Sequence, residues 1–183
     1  MNKILSQDLY RYEGPRSSRL LMRLRYIFFV PGFTYIYFFR KVQTSRWALL
    51  RALYAVLLKI TSYITHIQIP AATKIDPGFR IVHFGTIVVN PMAVIGRNFN
   101  ISQGVLIGNA PGKKAGTPVI GDNVCVNANA IIIGNCHIDN NVLIAPGAFV
   151  NFDVPDNAIV IGNPGRIIQK ESSPTKKYIV YHI

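Results

Sequence analysis

The chain has 183 residues, of which 50% are hydrophobic, and a formal net charge of +12. This length allows one domain with a hydrophobic core and a smaller appendage. The two cysteines, Cys125 and Cys136, lack CxxC spacing. A disulfide framework and a cysteine-based zinc site are therefore not expected, and a reducing cytoplasm is the expected location.

The N-terminal segment is strongly basic, because residues 1–65 hold eleven of the twenty Lys and Arg residues and only two of the eight acids. From residue 16 onward its apolar residues follow a helical pattern with a Pro-Gly break, which predicts two or three helices. In the last of them Trp47, Leu50 and Leu58 recur at helical spacing. We call residues 1–66 the basic arm.

Two interpretations of the basic arm stay open. In the first, its helices pack on each other and on the main domain, where they cover an end or join subunits. In the second, its aromatic and basic residues bind the headgroup region of anionic lipid. Nucleic-acid binding is not expected, since no recognised motif accompanies the charge. Neither a signal peptide nor a transmembrane helix is expected, because charges or a Pro-Gly break interrupt every apolar run before the roughly 20 residues of a span.

A six-residue period begins at residue 69 and predicts the fold. Aliphatic residues recur at this interval, and Gly, Asn and Asp stand between them where tight corners need them. The series are Ile69, Ile75, Ile81 and Ile87; Ile95, Ile101 and Ile107; and Ile120, Val126, Ile132, Ile138, Ile144 and Val150. Three short strands per turn predict a mainly β fold, a left-handed parallel β-helix over residues 67–168 with coils about 4.8 Å apart. Residues 169–183 form a C-terminal tail.

The period is broken twice, and each break predicts a loop that leaves the β-helix. The step from Ile87 to Ile95 is eight residues, and the step from Ile107 to Ile120 is thirteen. His83 lies just before the first break and outside the aliphatic positions. From position alone, a functional role and a structural role for His83 are equally open.

The repeat, the loop GNAPGKKAGTPVIGDN and the closing VIGNPGRII resemble the serine acetyltransferase branch of the hexapeptide-repeat acyltransferases. The resemblance covers residues 67–168 and is closer to relatives that O-acetylate sugars of capsule or lipopolysaccharide. It implies a homotrimer with acetyl-CoA as co-substrate, and it makes the histidine of HFGTIVVNP, His83, the general base. Imidazole suits this role, because its pKa lies near neutral pH.

The same resemblance implies where coenzyme A binds. The pantetheine arm would lie between neighbouring subunits, along Gly108, Ala128 and Pro146. The phosphates of coenzyme A need cations, and basic residues of the loop and the closing segment can supply them. These candidates are Lys113, Lys114 and Arg166.

Three positions depart from serine acetyltransferases. Where those enzymes have an aspartate before the catalytic histidine, a second histidine in the loop and an upstream aspartate, the chain has Val82, Thr117 and Ile67. The groups that would hold an amino acid are therefore missing, which argues against serine as acceptor. Asp76 and a backbone carbonyl both stay open as the group that orients His83.

The sequence thus predicts a cytoplasmic, trimeric O-acetyltransferase that transfers acetyl directly from acetyl-CoA to a sugar hydroxyl of a capsular, exopolysaccharide or lipopolysaccharide glycan or its precursor. In the second interpretation of the basic arm, the enzyme contacts the inner face of the membrane. The alternatives are a serine O-acetyltransferase of cysteine biosynthesis and a non-catalytic β-helix scaffold. No metal is expected, because only His83 and His137 lie in the repeat, fewer than a metal-dependent hydrolase of the carbonic anhydrase type needs.

Overall fold

A computed structural model describes residues 2–183. Helices come first, and short strands follow from residue 67. The helices are α1 (Lys3–Glu13), α2 (Leu20–Phe29), α3 (Pro31–Thr44) and α4 (Ala48–Thr65), and a 3-10 helix (Gly14–Ser18) joins the first two. Helix α1 precedes the segment in which the sequence pattern predicts helices, so the basic arm contains more helix than expected.

Local chemistry explains where these helices begin. The side-chain oxygen of Asn2 accepts a hydrogen bond from the amide of Leu5 at 2.9 Å and caps α1. Pro31 occupies the first position of α3, where a residue without an amide hydrogen is tolerated best. The Pro-Gly break of the sequence is therefore the start of a helix.

Helix α4 packs against α3 with only the C-terminal part of the predicted face. Leu58 of that face is buried, together with Thr61 and Thr65, whereas Trp47 and Leu50 are exposed. Within residues 2–183, α4 is the one helix long and apolar enough to cross a membrane by length and composition, which is weak evidence for a span. Most of α4 is therefore an exposed apolar surface.

The strands are short and lie in three sheets. They are β1 (Ile67–Gln68), β2 (Lys74–Ile75), β3 (Arg80–Ile81), β4 (Ile87–Val89), β5 (Val94–Ile95), β6 (Asn100–Ile101), β7 (Leu106–Gly108), β8 (Val119–Ile120), β9 (Cys125–Val126), β10 (Ile131–Ile133), β11 (His137–Ile138), β12 (Leu143–Ile144), β13 (Phe149–Val150), β14 (Ala158–Ile161) and β15 (Arg166–Gln169).

From β1 to β13, successive strands enter sheets A, B and C in turn, so every three strands complete one coil of a triangular prism. Sheet A contains β1, β4, β7, β10 and β13; sheet B contains β2, β5, β8 and β11; sheet C contains β3, β6, β9, β12, β14 and β15. Neighbouring strands are parallel except β14 and β15. The aliphatic residues of all three predicted series are buried in the prism. A hexapeptide β-helix with an N-terminal helical region is therefore confirmed.

The first break in the period lies earlier than the sequence suggests. In sheet A, Val89 rather than Ile87 stands beside Ile107. The two extra residues therefore belong to the corner between β3 and β4, residues 82–86, at the edge where sheets C and A meet. The sequence does not resolve this, because Ile87 and Val89 are both β-branched and both buried.

The basic arm covers the open end of the first coil and bonds to its free backbone groups. The hydroxyl of Tyr12 donates to the carbonyl of Ile81 at 3.0 Å and accepts from its amide at 2.9 Å. The hydroxyl of Tyr35 bonds in the same way to both groups of Ile69. Because an uncovered strand edge invites association, these contacts protect the first coil and fix the arm beside the corner that carries His83.

The C-terminal tail returns along sheet C to the arm. Strand β15 ends at Gln169, one residue inside the segment predicted as tail. Beyond it, Ile179 is buried against Cys125 and Leu143. The guanidinium of Arg11 donates to the carbonyl of Tyr181 at 3.1 Å. The tail therefore links the arm to the outer face of sheet C.

Candidate active site

His83 lies at the outer edge of the prism, where sheet C gives way to sheet A. Its side chain is exposed. Gly85 and Thr86 follow with φ angles of 118° and 48°, which lets the chain bulge outward before β4. The carbonyl of Gly85 accepts a hydrogen bond from the amide of Gly104 at 3.0 Å, so the bulge stays attached to the second coil. The insertion thus presents an imidazole to solvent on a fixed corner.

A cavity of about 340 Å³ lies beside His83, between the basic arm and the first coil. The arm contributes Tyr12, Tyr26 and Phe29 to its wall, and the coil contributes Arg80, Val82 and His83. Its volume is in the range of small-molecule sites. The arm therefore helps to form the space in front of the candidate base.

A second cavity, of about 500 Å³, lies between α3, α4 and the first strand. It is lined by Tyr35, Lys59 and His66, among others, and it contains none of the residues selected from the sequence. Size alone therefore does not identify the site, and the smaller cavity is the one that contains the base predicted from the sequence.

Asp76 does not orient His83. Asp76 lies where sheet B meets sheet C, so β3 separates it from the imidazole. Its amide donates to the carbonyl of Ile95 at 2.9 Å, and its carbonyl accepts from Arg40 at 2.9 Å. The backbone carbonyl stays the open alternative.

The three positions that depart from serine acetyltransferases lie in different places. Val82 lines the cavity beside His83. Ile67 is buried in β1. Thr117 lies in the long loop between sheets A and B, where its hydroxyl donates to the carbonyl of Met92 at 3.1 Å. None of the three brings a charged group to the cavity.

Arg80 is a candidate that sequence reasoning missed. Among the described residues, it is the only Lys or Arg that lines the cavity at His83. The central carbon of its guanidinium lies 5.2 Å from the centre of the Tyr12 ring, and Tyr12 also lines the cavity. A basic residue three places before the candidate base was the available signal, but its neighbours in the arm could not be read from the sequence.

The predicted coenzyme A contacts divide between two edges of the prism. Ala128 and Pro146 lie on the same edge as His83, two and three coils further along, or about 10 and 14 Å at the usual strand spacing. The carbonyl of Ala128 accepts from the amide of Gly147 at 2.9 Å, which shows these corners stacked. Gly108 ends β7 at the far side of sheet A. One chain alone does not bring these contacts together.

The predicted phosphate-binding cations are all exposed. Lys113 and Lys114 form a single 3-10 turn in the loop after β7, and a bridge between Ala110 and Gly116 closes this loop. Arg166 begins β15. These side chains are free to meet an anion that approaches the prism from outside.

The cysteines have no nucleophilic character. Both are free and buried. Burial raises the pKa of Cys125 to about 12 and that of Cys136 to about 11, so both thiols are protonated near neutral pH. A direct transfer from thioester to acceptor therefore needs no cysteine. Within residues 2–183, no three His, Cys, Asp or Glu side chains come together as a metal site.

Comparison with known proteins gives consistent matches. A family model described as bacterial transferase hexapeptide (six repeats) matches residues 117–151. A serine acetyltransferase of Synechococcus elongatus is 31% identical over 172 residues, which is 93% of this chain and 70% of the relative. A serine acetyltransferase of Staphylococcus aureus is 36% identical over 115 residues, and there the match spans 62% of this chain and 54% of the relative.

Solved structures give the same result. The structure of Neisseria gonorrhoeae serine acetyltransferase in complex with serine matches with a TM-score of 0.70 and 28% identity, over 90% of this chain and 67% of that chain. A serine acetyltransferase in complex with CoA matches with a TM-score of 0.70 and 25% identity, with the same coverage. These names contradict the prediction of a sugar acceptor, which is wrong, and they support the stated alternative of serine. The departures at Val82, Thr117 and Ile67 led to the wrong acceptor. They show which groups are missing, but not which other groups bind serine.

Proposed function

Because the chain belongs to the serine acetyltransferase family of hexapeptide-repeat transferases, we propose that it transfers the acetyl group of acetyl-CoA to the hydroxyl of L-serine, with His83 as general base. The chain is an acyl-CoA-dependent acetyltransferase by family. The observation that carries the acceptor assignment is the match to the Synechococcus elongatus enzyme, which extends over 93% of this chain and so includes most of the basic arm.

The reaction needs one general base and a cavity that excludes water. The imidazole of His83 removes the proton of the serine hydroxyl as its oxygen attacks the thioester carbonyl, and a tetrahedral intermediate forms. When the carbon–sulfur bond breaks, the imidazolium returns this proton to the departing thiolate of coenzyme A. O-acetylserine and free coenzyme A leave, and His83 is neutral again. A positioned base of this kind contributes on the order of 10²–10⁴-fold to the rate.

The proposal also includes a left-handed β-helix and a homotrimer, as in hexapeptide transferases. The division of Gly108, Ala128 and Pro146 between two prism edges supports a coenzyme A site between subunits, since the edge of one prism can face the sheet of the next. Exposure of His83 supports the same arrangement, because a neighbouring subunit would cover the imidazole and help to exclude water. Lys113, Lys114 and Arg166 would then meet the phosphates.

A cytoplasmic location with the basic arm at the inner membrane face is also part of the proposal. Two free cysteines suit a reducing compartment. Leu20, Leu21 and Phe29 of α2 and Leu49 of α4 are exposed apolar residues on a cationic segment. A second copy of the arm would oppose like charge to like charge, so anionic lipid is the better complement.

The test of the reaction is release of coenzyme A thiol from acetyl-CoA. Wild type should release thiol when L-serine is added and not with D-serine or without acceptor, and mass spectrometry should find O-acetylserine. His83→Ala should lower kcat/KM by about 10²–10⁴-fold, while His137→Ala, a change of another exposed histidine in the prism, should leave it unchanged. Thiol release that ignores serine, or equal rates for the two variants, would refute the assignment.

A further inference from the structure

Arg80 presents a positive charge without a counterion at the cavity of His83. It stands on the outward face of β3, three residues before His83, and both line the same cavity. Within residues 2–183 the only ion pair joins Arg40 to Asp8, so no carboxylate neutralises Arg80. Its Nε atom is buried and has no hydrogen-bond partner. A buried donor left unbonded costs free energy, so this guanidinium is short of an acceptor.

The two acids of the arm are already engaged. Asp8 accepts hydrogen bonds from Arg40 and from the amides of Gly78 and Phe79. Glu13 accepts a hydrogen bond from the hydroxyl of Tyr26 at 2.6 Å. Asp8 is thus paired with Arg40, and neither acid forms an ion pair with Arg80.

A second guanidinium, that of Arg11, adds positive charge close to Arg80. Arg11 is buried and bonds only to neutral oxygens: the Asn100 side chain at 2.7 Å, the Tyr181 carbonyl at 3.1 Å and the Asn98 carbonyl at 3.4 Å. Burial lowers the pKa of Arg11 to about 10, and the charge of Arg80 is the next contribution in the same direction. The two cations are thus near enough to repel, and an anion bound at Arg80 would relieve that repulsion.

We propose that Arg80 binds the carboxylate of the acceptor amino acid and so sets the specificity of the transfer. This inference rests on the proposed serine acetyltransferase activity and adds the group that the sequence departures seemed to remove. A guanidinium offers two parallel N–H donors that match the two oxygens of a carboxylate. Arg80 and His83 share one small cavity, so a bound carboxylate would hold the nearby hydroxyl of serine at the base.

The phosphates of coenzyme A are the other anions present in the reaction. The predicted path of coenzyme A runs away from Arg80, along Ala128 and Pro146 on later coils. Serine therefore suits the cavity better, and the two sources differ in which Michaelis constant depends on Arg80. A role in serine binding changes the KM for serine, whereas a role in phosphate binding changes the KM for acetyl-CoA.

The experiment compares L-serine with L-serinamide, which has the same hydroxyl and ammonium groups but no carboxylate. Wild type should prefer serine by at least tenfold in kcat/KM. Arg80→Met should abolish that preference by raising the KM for serine, with a much smaller effect on serinamide. Arg80→Lys should restore part of the preference, because it keeps the charge without the paired donors. Arg97→Met, at an exposed site outside the cavity of His83, is the matched control.

Each other outcome has a defined meaning. Wild-type turnover of serine with an unchanged preference in Arg80→Met overturns the carboxylate site alone. An equal loss with both substrates assigns Arg80 to the packing of Tyr12 and also overturns it. A raised KM for acetyl-CoA reassigns Arg80 to the phosphates. Absence of serine-dependent turnover in the wild type removes the proposed function, and the carboxylate site with it.

Discussion

The Nε atom of Arg40 in α3 donates to a carboxylate oxygen of Asp8 in α1 at 2.8 Å, and both side chains are buried. The same pair also forms hydrogen bonds with the backbone of the prism. Asp8 accepts from the amides of Gly78 and Phe79, and Arg40 donates to the carbonyl of Ile75 at 2.7 Å. One charged pair thus joins two helices of the arm to the first coil, at the residues directly before Arg80.

Removal of one partner of this pair should be costly, because the other charge stays buried without compensation. We expect Asp8→Ala or Arg40→Met to lower the free energy of unfolding by about 3–5 kcal/mol. The double variant should lose less than the sum of the two single losses, since it leaves no uncompensated charge. Urea unfolding followed by circular dichroism measures these values. Strict additivity in this cycle would show that the two side chains act independently.

The prism could be predicted from the sequence because its rule is local. Each coil places an aliphatic residue inward at a fixed interval, so the buried positions from Ile95 to Val150 follow directly from the six-residue period. The period misplaced one of its two breaks, because Ile87 and Val89 are both β-branched and buried and either fits the inward position. That two-residue ambiguity is what hid the insertion at His83.

The arm and the cavity could not be predicted, because their contacts join residues far apart in the chain. Tyr12 meets Ile81 and Arg11 meets Tyr181 through single hydrogen bonds that leave no periodic signal. From the sequence, Arg80 is a solvated charge on an outward strand position. In the structure, the Tyr12 ring lies over its guanidinium. The resemblance led to His83, but the wall of its cavity depends on this tertiary packing.

A ladder of asparagine side chains stabilises the edge between sheets B and C. Asn98 donates to Asn123 at 3.0 Å, and Asn123 donates to Asn141 at 3.1 Å, and all three have φ between 55° and 59°. Asn123→Ala should cost about 2–3 kcal/mol, because it loses the ladder and puts a Cβ-bearing residue at positive φ without a polar side chain. Asn123→Gly should cost about 1 kcal/mol less, because glycine adopts this φ freely. Equal losses in urea unfolding would show that backbone strain contributes nothing.

Cys125 should resist thiol reagents and should not take part in catalysis. An unfolded thiol ionises near pH 8.5, whereas burial raises the pKa of Cys125 to about 12 in the folded protein. At pH 8 the folded thiolate fraction is therefore on the order of 10⁻⁴, and labelling by a disulfide reagent should be much slower than in urea. Cys125→Ala should keep kcat within about twofold, since no acyl-enzyme forms. Rapid native labelling or a loss of acetyl transfer in a folded variant would contradict this.

The same shift sets a direction for stability against pH. Because the folded thiol holds its proton more tightly than the unfolded thiol, the contribution of Cys125 is complete below about pH 8 and declines as pH rises toward 12. Urea midpoints of wild type and Cys125→Ala should therefore converge on the alkaline side. If the difference between the two midpoints grows with pH instead, the pKa of Cys125 is not raised by folding.

The exposed pair Lys113 and Lys114 should affect coenzyme A and not serine. We expect the double alanine variant to raise the KM for acetyl-CoA about tenfold at low salt, because two phosphate contacts are lost, and to show a smaller salt dependence than wild type. Lys176 and Lys177, an exposed lysine pair on the tail, provide a control of equal charge. If both double variants behave alike, net charge rather than a site explains the effect.

The exposed face of the basic arm should retain the protein on anionic vesicles. Arg46 and Arg51 flank Trp47, which is 75% exposed, so this stretch offers both charge and an aromatic side chain to the headgroup region. Each basic residue near such a surface contributes about 1 kcal/mol, so Arg46→Glu with Arg51→Glu should weaken vesicle binding by at least about 30-fold. Lys176→Glu with Lys177→Glu makes the same change in net charge on the tail and should have a small effect.

Co-sedimentation with phosphatidylglycerol vesicles, against phosphatidylcholine alone, measures this difference at low salt. If wild type stays in the supernatant, or if both variants lose binding equally, the arm is a surface for subunit assembly instead. Analytical ultracentrifugation of the arm variant would then detect a change in oligomeric state.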